Sequence, residues 1–550
     1  MSTERTTHGL TRAVRAIAAA GSLALVLAAC GSSAPSTDAG AGAATDSTST
    51  STGASADQAG DTSSGADTGQ QTGSADGLGL IGLSTHADGD EGDYDADAAV
   101  AITLADGSSS ADGEGVEVSR DDTGETVLIT QAGTYVLSGT LSAGQVVVDV
   151  VEDDDVTLVL DGAVITSTSG PAVHIVSAED ATVVLAEDSV NHLTDAATYV
   201  LTEDTVDAET GAAVDAPNAA LYSTADLTIA GDGALTVTGS ANDGITSKDG
   251  LVILSGTLEV TATDDGIRGK DFLAIEGGTV AVEAGGDGLT SDNTDDGTGI
   301  VLISGAGTVV TVASGDDAVK GENVVDLVDG TLTVDSSVEG LEAARIIIEG
   351  GVAMVTSSDD AVNAASDVTT PSVEISGGVI TLDAEGDGLD SNGTVEMTGG
   401  EVTVYGPTRG GNGSLDVGGE FVVSGGTLVA VGTADMLVGP STDTGQAALV
   451  VTLTETVPAG AVLTVTDAEG TVVAEVTTAK TAQSLVLSDA ALVTGSSYTV
   501  SVDGSEVATA TAGEYAEGGF GGPGQGGFPG GGEWPGGAPG QGELPGGEQG

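Results

Sequence analysis

The stretch NDGITSKDGLVILSGTLEVTATDDGIRGKDFLAIEGG, residues 242–278, decides the fold. It reads the same way twice. Asn-Asp-Gly-Ile at 242–245 returns as Asp-Asp-Gly-Ile at 264–267, and each is followed by an aliphatic run, a small-residue turn and a second run. Outward from there the same unit continues as Asp287-Gly288-Leu289, Asp317-Ala318-Val319, Glu339-Gly340-Leu341, Asp360-Ala361-Val362 and Asp387-Gly388-Leu389, at steps of 22, 22, 30, 22, 21 and 27 residues. Midway in the units lie Ser255-Gly256, Gly277-Gly278, Asp329-Gly330, Gly350-Gly351, Gly377-Gly378, Gly399-Gly400 and Gly425-Gly426. A period near 22 with about three short strands and three turns predicts one coil of a parallel β-helix, an all-β solenoid. The aliphatic residue after each acid should stack inward as a ladder, with coils about 4.8 Å apart. β-branched runs and glycines inside every unit exclude a helical repeat.

The rest of the chain sorts around this centre. Its 550 residues hold 85 acidic against 11 basic side chains, a formal net charge of −74, which excludes nucleic acid and anionic membrane surfaces as partners by repulsion. Arg5, Arg12 and Arg15 precede the apolar run AIAAAGSLALVLAA at 16–29, too short to span a bilayer, and Cys30 follows it. This resembles a bacterial lipoprotein signal, with Cys30 as the lipidation site. Cys30 is the single cysteine, so no disulfide forms within the chain. The expected organisation is a leader at 1–29 and a disordered Ser/Thr/Gly/Asp-rich tether at 30–92. The β-helix follows at 93–440, then a small β-sheet cap at 441–513 and a disordered Gly/Pro-rich tail at 514–550. The cap is read from alternating strands such as SSYTVSVDG at 496–504, after the acid-Gly repeat has ended. The protein is expected to be an exported monomer, tethered outside the cell and touching the membrane through its lipid anchor alone.

Stacking fixes the chemistry of the repeat. Carboxylates at one position on successive coils lie about 5 Å apart and repel by roughly 3 kcal/mol at an effective dielectric near 20. Doubled acids at Asp264-Asp265, Asp316-Asp317 and Asp359-Asp360 enlarge that penalty. A bound cation would reverse it, and an all-oxygen ligand set suits Ca²⁺. The candidate ligands are Asn242, Asp243, Asp264, Asp265, Asp287, Asp316, Asp317, Asp359, Asp360 and Asp387. Turn capping by Asp-Gly pairs is the competing explanation of the same residues. The scarce cations follow the ladder: Arg268 and Lys320 lie three residues past their acids, Lys248 and Lys270 five past. Stacked coils should gather Lys248, Arg268, Lys270 and Lys320 on one face, as charge compensation or as a strip that holds an acidic polysaccharide.

The segment PNAALYSTADLTIAGDGALTVTGSANDGITSKDGLVILSGTLEVTATDDGIRGKDFLAIEGGTVAVEAGGDGLTSDN closely resembles the bacterial carbohydrate-binding β-helix family known from a clostridial cellulose- and pectin-binding protein. So does GTYVLSGTLSAGQVVVDVVEDDDVTLVLDGAVITSTSGPAVHI, and the likeness runs from about residue 98 to about 440. It implies a right-handed parallel β-helix, bound calcium, and binding of cellulose or acidic sugars without established catalysis. The family's acidic positions map onto Asp243, Asp264, Asp265, Asp287, Asp316 and Asp317. SVEGLEAA at 337–344 departs from the pattern, because Glu339 stands where an aspartate is usual, which weakens the case for calcium at that coil. Only Phe272 and Tyr405 supply aromatic rings inside the repeats, too few for a flat stacking strip, so a pectin-like acidic glycan is the expected partner. Two alternatives stand beside binding: a calcium-dependent uronate lyase using Lys248, Arg268, Lys270 or Lys320 as base, and a structural surface adhesin.

Overall fold

The computed structural model describes residues 78–87, 91–151, 154–199, 216–442 and 445–515. The leader with Cys30, the tether up to residue 77 and the tail from residue 516 lie outside the described residues, and so do the expectations of lipidation and disorder placed on them. The described residues form an all-β structure with no helix: a solenoid of about 12 turns followed by a small antiparallel sheet. Among the described residues no helix is long and apolar enough to cross a membrane.

Each coil contributes three walls. Around the opening stretch these are Asp243–Ser247, Gly250–Ile253 and Thr257–Ala262, and the next coil supplies Ile267–Gly269, Phe272–Ile275 and Thr279–Ala284. Every wall pairs in parallel with its counterpart one coil on. The 22-residue step therefore puts Ile245 opposite Ile267, Leu251 opposite Leu273 and Leu258 opposite Val280. Alternation does the rest. In Thr257–Ala262 the residues Leu258, Val260 and Ala262 point inward and Thr257, Glu259 and Thr261 face out. The ladder expected after each acid is present: Ile245, Ile267, Leu289, Val319, Leu341, Val362 and Leu389 are all buried in one core that runs the length of the solenoid, and Leu415, which follows no acid, extends it by one coil.

Turns and steps follow from the same register. The second residue of every mid-repeat pair, Gly256 through Gly426, has a positive φ between 72° and 103°, the region that only glycine enters freely. The 30-residue step from Asp287 to Asp317 keeps the pairing Leu289 to Val319 and Ile300 to Val324. Six of its eight extra residues bulge out between the first and second walls, within 292–299, while two lie between the second and third, within 304–308.

Both ends of the solenoid are covered. At the start, Val116–Arg120 pairs antiparallel with Glu125–Ile129. At the other end, Thr427–Gly432 pairs antiparallel with Ala482–Ser488, which pairs with Ala448–Val457, and a four-stranded antiparallel sheet packs on a second core around Leu463, Leu485 and Tyr498. A free edge is thereby closed against further pairing.

One element departs from the tether expected for residues 30–92. Residues 78–87 form a strap against the outer face of the second wall, where Leu83 and Ala87, with Leu78 and Ile81, cover Val252, Ala274, Ile300 and Leu302. Those four wall residues point away from the solenoid axis, and without the strap they would be an exposed apolar stripe.

Candidate functional site

The acids that open each coil stack as one column at the entrance to the first wall. Along it, one side-chain oxygen accepts the backbone N–H of the acid on the next coil. Asp287 N donates to Asp265 Oδ1 at 2.9 Å, Asp317 N to Asp287 Oδ1 at 3.1 Å, and Asp387 N to Asp360 Oδ1 at 2.5 Å. Asp265 N lies 3.4 Å from Asp243 Oδ1. Turn capping is thus one function of the column, and it employs one oxygen of each carboxylate. The doubled acids also explain two glycines. A Cβ on Gly286 would lie within 2.7 Å of Oδ1 of both Asp264 and Asp265, and one on Gly386 within 2.4 Å of Oδ1 of both Asp359 and Asp360.

Burial makes this column costly. Asp243 is 0% exposed, and burial pushes its carboxyl up to about 7 against the pull of Arg268. Burial likewise raises Asp287 to about 6 and Asp360 to about 7. Asn242, Asp264, Asp316 and Asp359 sit one residue earlier, at the turn, and the three aspartates there are exposed.

Three residues beyond the column runs a second one on the outer face of the first wall: Thr246, Arg268, Thr290, Lys320, Glu342, Asn363, Asp390 and Asp416, each paired in register with the next. Its sign changes along the axis. In the first half, Arg268 bonds Asp265 through Nη2, approaches Asp243 Oδ2 to 3.8 Å through Nε, and reaches Asp292 Oδ2 at 3.1 Å through Nη1. Lys320 Nζ lies 2.6 Å from both Asp317 Oδ2 and Glu342 Oε2. These carboxylates hold both cations charged, with pKa values raised above their ordinary ranges. In the second half, among the described residues, no base pairs with the column acids, although Lys480 pairs with Asp383 and Glu385 nearby. Burial and then the neighbouring Asp387 and Asp416 push Asp390 up to about 7, and Asp387 is raised by burial and Asp416.

The cations separate into two places. Lys248, Arg268 and Lys270 line one cavity of about 230 Å³ with Asn218, Thr246 and Asp292, at the corner between the first and second walls. Lys320 lines another, of about 720 Å³, with Glu342, Ser366 and Asn392. Arg268 and Lys320 share a column as their common offset requires, with Thr290 on the coil between them. Asp292, Glu342, Asp390 and Asp416 belong to the site although the acid-Gly-aliphatic pattern did not select them. The three-residue offset that marks Arg268 and Lys320 also marks Glu342 and Asp390, and the five-residue offset of Lys248 and Lys270 marks Asp292, so those signals were present in the sequence, whereas Asp416 follows Gly413 rather than an acid.

A hard cation fits some coils better than others. Among the described residues, one trio of acids, Asp317, Glu339 and Glu342, brings oxygens within 4.8 Å of one another, but Lys320 already bridges two of them. The Asp359, Asp360, Asp387, Asp390 and Asp416 stretch has only oxygen donors, the type that Ca²⁺ takes, and no ion-paired base, but no three of these acids bring oxygens within 4.8 Å of one another.

A β-solenoid with charged columns along one corner offers an extended surface to an elongated ligand. The chain belongs to the carbohydrate-binding domain-containing protein family, which matches residues 123–413. A carbohydrate-binding domain-containing protein of Acetivibrio thermocellus is 41% identical over 66 residues, 12% of this chain and 22% of that protein. The chain therefore spans about a fifth of that relative's length. Among solved structures, the gadolinium derivative of the polysaccharide lyase-like protein from C. thermocellum is 32% identical and covers 46% of this chain and 93% of its own, with a TM-score of 0.38.

Proposed function

We propose that the protein is an exported, lipid-anchored binder of acidic, pectin-like polysaccharide, assisted by calcium, and not a lyase. One observation carries this reading. In a chain with 11 basic residues and 85 acidic ones, Lys248, Arg268 and Lys270 converge on a single surface cavity. A cavity of about 230 Å³ is smaller than the roughly 300–1,000 Å³ that enclose drug-sized ligands, and it suits one sugar unit of a longer chain. Arg268 and Lys270 would pair with the uronate carboxylate, while Asn218 and Thr246 offer polar groups to the ring hydroxyls. Calcium, held by Asp359, Asp360, Asp387, Asp390 and Asp416, would supply the positive charge that the second half of the strip lacks, both stabilising those coils and bridging to sugar carboxylates.

The lyase alternative needs a base that is neutral at working pH. Arg268 and Lys320 are held in the opposite state by their carboxylate neighbours. The lipid anchor rests on Cys30 and the leader before it.

The test is retention of the purified protein on polygalacturonate, with and without a calcium chelator, while ultraviolet absorbance follows unsaturated product. Retention without absorbance is expected. Absorbance would replace binding by lyase activity, and neither signal would leave a structural surface protein.

A further inference from the structure

We infer that Asp292 is a built-in stand-in for the ligand's carboxylate, so that the cationic cavity is self-occupied until an acidic sugar displaces it. This rests on the acidic-glycan reading of the cavity and adds the residue that sets its selectivity.

The geometry assigns the two sides of Arg268 different tasks. Its inner edge is clamped to the solenoid by Asp265 and Asp243, both buried. Its outer Nη1 bonds Asp292 Oδ2 at 3.1 Å, and Lys270 Nζ lies 3.4 Å from Asp292 Oδ1. One carboxylate thus spans two cations with one oxygen each, which is how a bound uronate carboxylate would be held. Asp292 is 42% exposed, while Arg268 is 25% exposed, so the acid lies on the solvent side and the guanidinium beneath it.

The backbone around Asp292 is fixed and its side chain is free to leave. Ser291 Oγ and Asn293 N both donate to Lys270 O at 3.1 Å, tying the residues on either side to the coil before. Asp292 stands where the two preceding coils carry Lys248 and Lys270, at the start of a connection to the second wall that is six residues longer than in the coil before. Rotation of one exposed side chain would open the pair without moving the walls. The exchange is nearly balanced in charge, because a carboxylate leaves two cations and another takes its place. Neutral sugars, which bring no carboxylate, gain nothing from displacing Asp292. Selectivity for acidic units follows from that difference. Lys248, which has no ion-pair partner among the described residues, is placed to meet the carboxylate of the incoming chain at the same cavity.

The experiment is titration of the full chain and of D292N with oligogalacturonate and with its fully methyl-esterified form, at fixed calcium, after melting curves show that both proteins are folded. An exposed pair of this kind is worth a small factor, so D292N should bind oligogalacturonate about two- to five-fold more tightly. Its affinity for the ester should be unchanged, and K270Q should weaken binding of the acid form. Equal or weaker binding of oligogalacturonate by D292N, with the wild type binding well, overturns the role of Asp292 and leaves the acidic-glycan reading standing. A weaker D292N would mean that Asp292 holds a bridging cation. Failure of both proteins to bind overturns both.

Discussion

Asp243 is fully buried beside Arg268, yet its carboxyl is pushed up to about 7, so burial outweighs the guanidinium 3.8 Å away. The remaining compensation comes from Asn218 Nδ2, which donates to Asp243 Oδ2 at 2.6 Å, and from Thr246 Oγ1 at 3.0 Å. Removing Arg268 strands two buried acids at once. Breaking a buried pair costs about 3–5 kcal/mol, and partial exposure of Arg268 reduces that to about 2–4 kcal/mol for R268M. The loss should depend on pH with a definite sign. A carboxyl whose folded pKa is raised stabilises the fold while it is protonated, and that contribution disappears as pH rises through the folded value. R268M should therefore melt much lower than wild type at pH 8 and only slightly lower at pH 5.5. A melting deficit that does not change between those conditions would show that Arg268 acts by packing alone.

The strap at residues 78–87 is held at both ends by groups that strengthen it in mild acid. At one end the His86 ring, with its side chain 5% exposed, places Nδ1 3.2 Å from Asp226 Oδ1 and Nε2 3.0 Å from Thr228 Oγ1. Burial opposes the charge on His86, but Asp226, with Asp180 and Glu91, raises its pKa above 6.5. At the other end Gly79 lies against Asp326, which is 1% exposed with neither oxygen hydrogen-bonded, and which burial, with Glu349 and Glu374 against Arg345, pushes up to about 7. The histidine contributes below its free pKa and loses its contribution as pH rises past the raised value. The aspartic acid does the same between about 4 and 7. Both weaken the strap in one direction. Hydrogen exchange at Leu78 and Leu83, whose N–H groups donate to each other's carbonyls, should speed up between pH 6 and pH 8 after correction for the intrinsic rate. D326N should retain protection to higher pH, and equal opening of both proteins would remove Asp326 from this role. The strap was hidden in the sequence for a physical reason. Leu78, Ile81 and Leu83 stand in a Gly-rich stretch without strand alternation, and their partners Val252, Ala274 and Leu302 come more than 160 residues later. The walls were legible because each residue's partner lies one step of about 22 away, so the pairing is written in the spacing. At the site, the spacing exposed the Arg268 and Lys320 offset and the acid column, whereas Asp292 stands at the position of Lys248 and Lys270 with the opposite charge, so a search for cations at that offset passed over it.

Over the whole solenoid, the outer column of the first wall changes sign along the axis, and stability should respond to cations in the same uneven way. The coils from Asp243 to Glu342 contain Arg268 and Lys320, so a divalent ion there would have to displace a covalently attached cation that already satisfies the acids. From Asp359 to Asp416 the attached cations serve other acids, Lys480 at Asp383 and Glu385 and Arg345 at Glu374, and among the described residues none pairs with Asp360, Asp387, Asp390 or Asp416. Asp360 and Asp390 sit at about 7, half-protonated at neutral pH. Calcium binding must release those protons, so its affinity should rise with pH through that value. An ion at a hundred times its dissociation constant stabilises the folded state by about 2.7 kcal/mol. Added calcium at pH 8 should therefore raise the melting temperature and slow hydrogen exchange in Leu389–Ser391 and Leu415–Val417, while Asp243–Ser247 and Ile267–Gly269 exchange as before. Replacing Asp360 and Asp390 together by asparagine should abolish the calcium response and itself stabilise the apo protein, because two repelling half-buried charges are gone. Protection that spreads evenly over all coils, or that survives the double substitution, would place the ion elsewhere. The polarity also predicts how a long acidic glycan lies on the protein. On the proposed reading its direct contacts would be to Lys248, Arg268 and Lys270 at one end and its calcium-dependent contacts toward the cap, so a chelator should weaken the binding of long oligomers far more than that of a monomer or dimer.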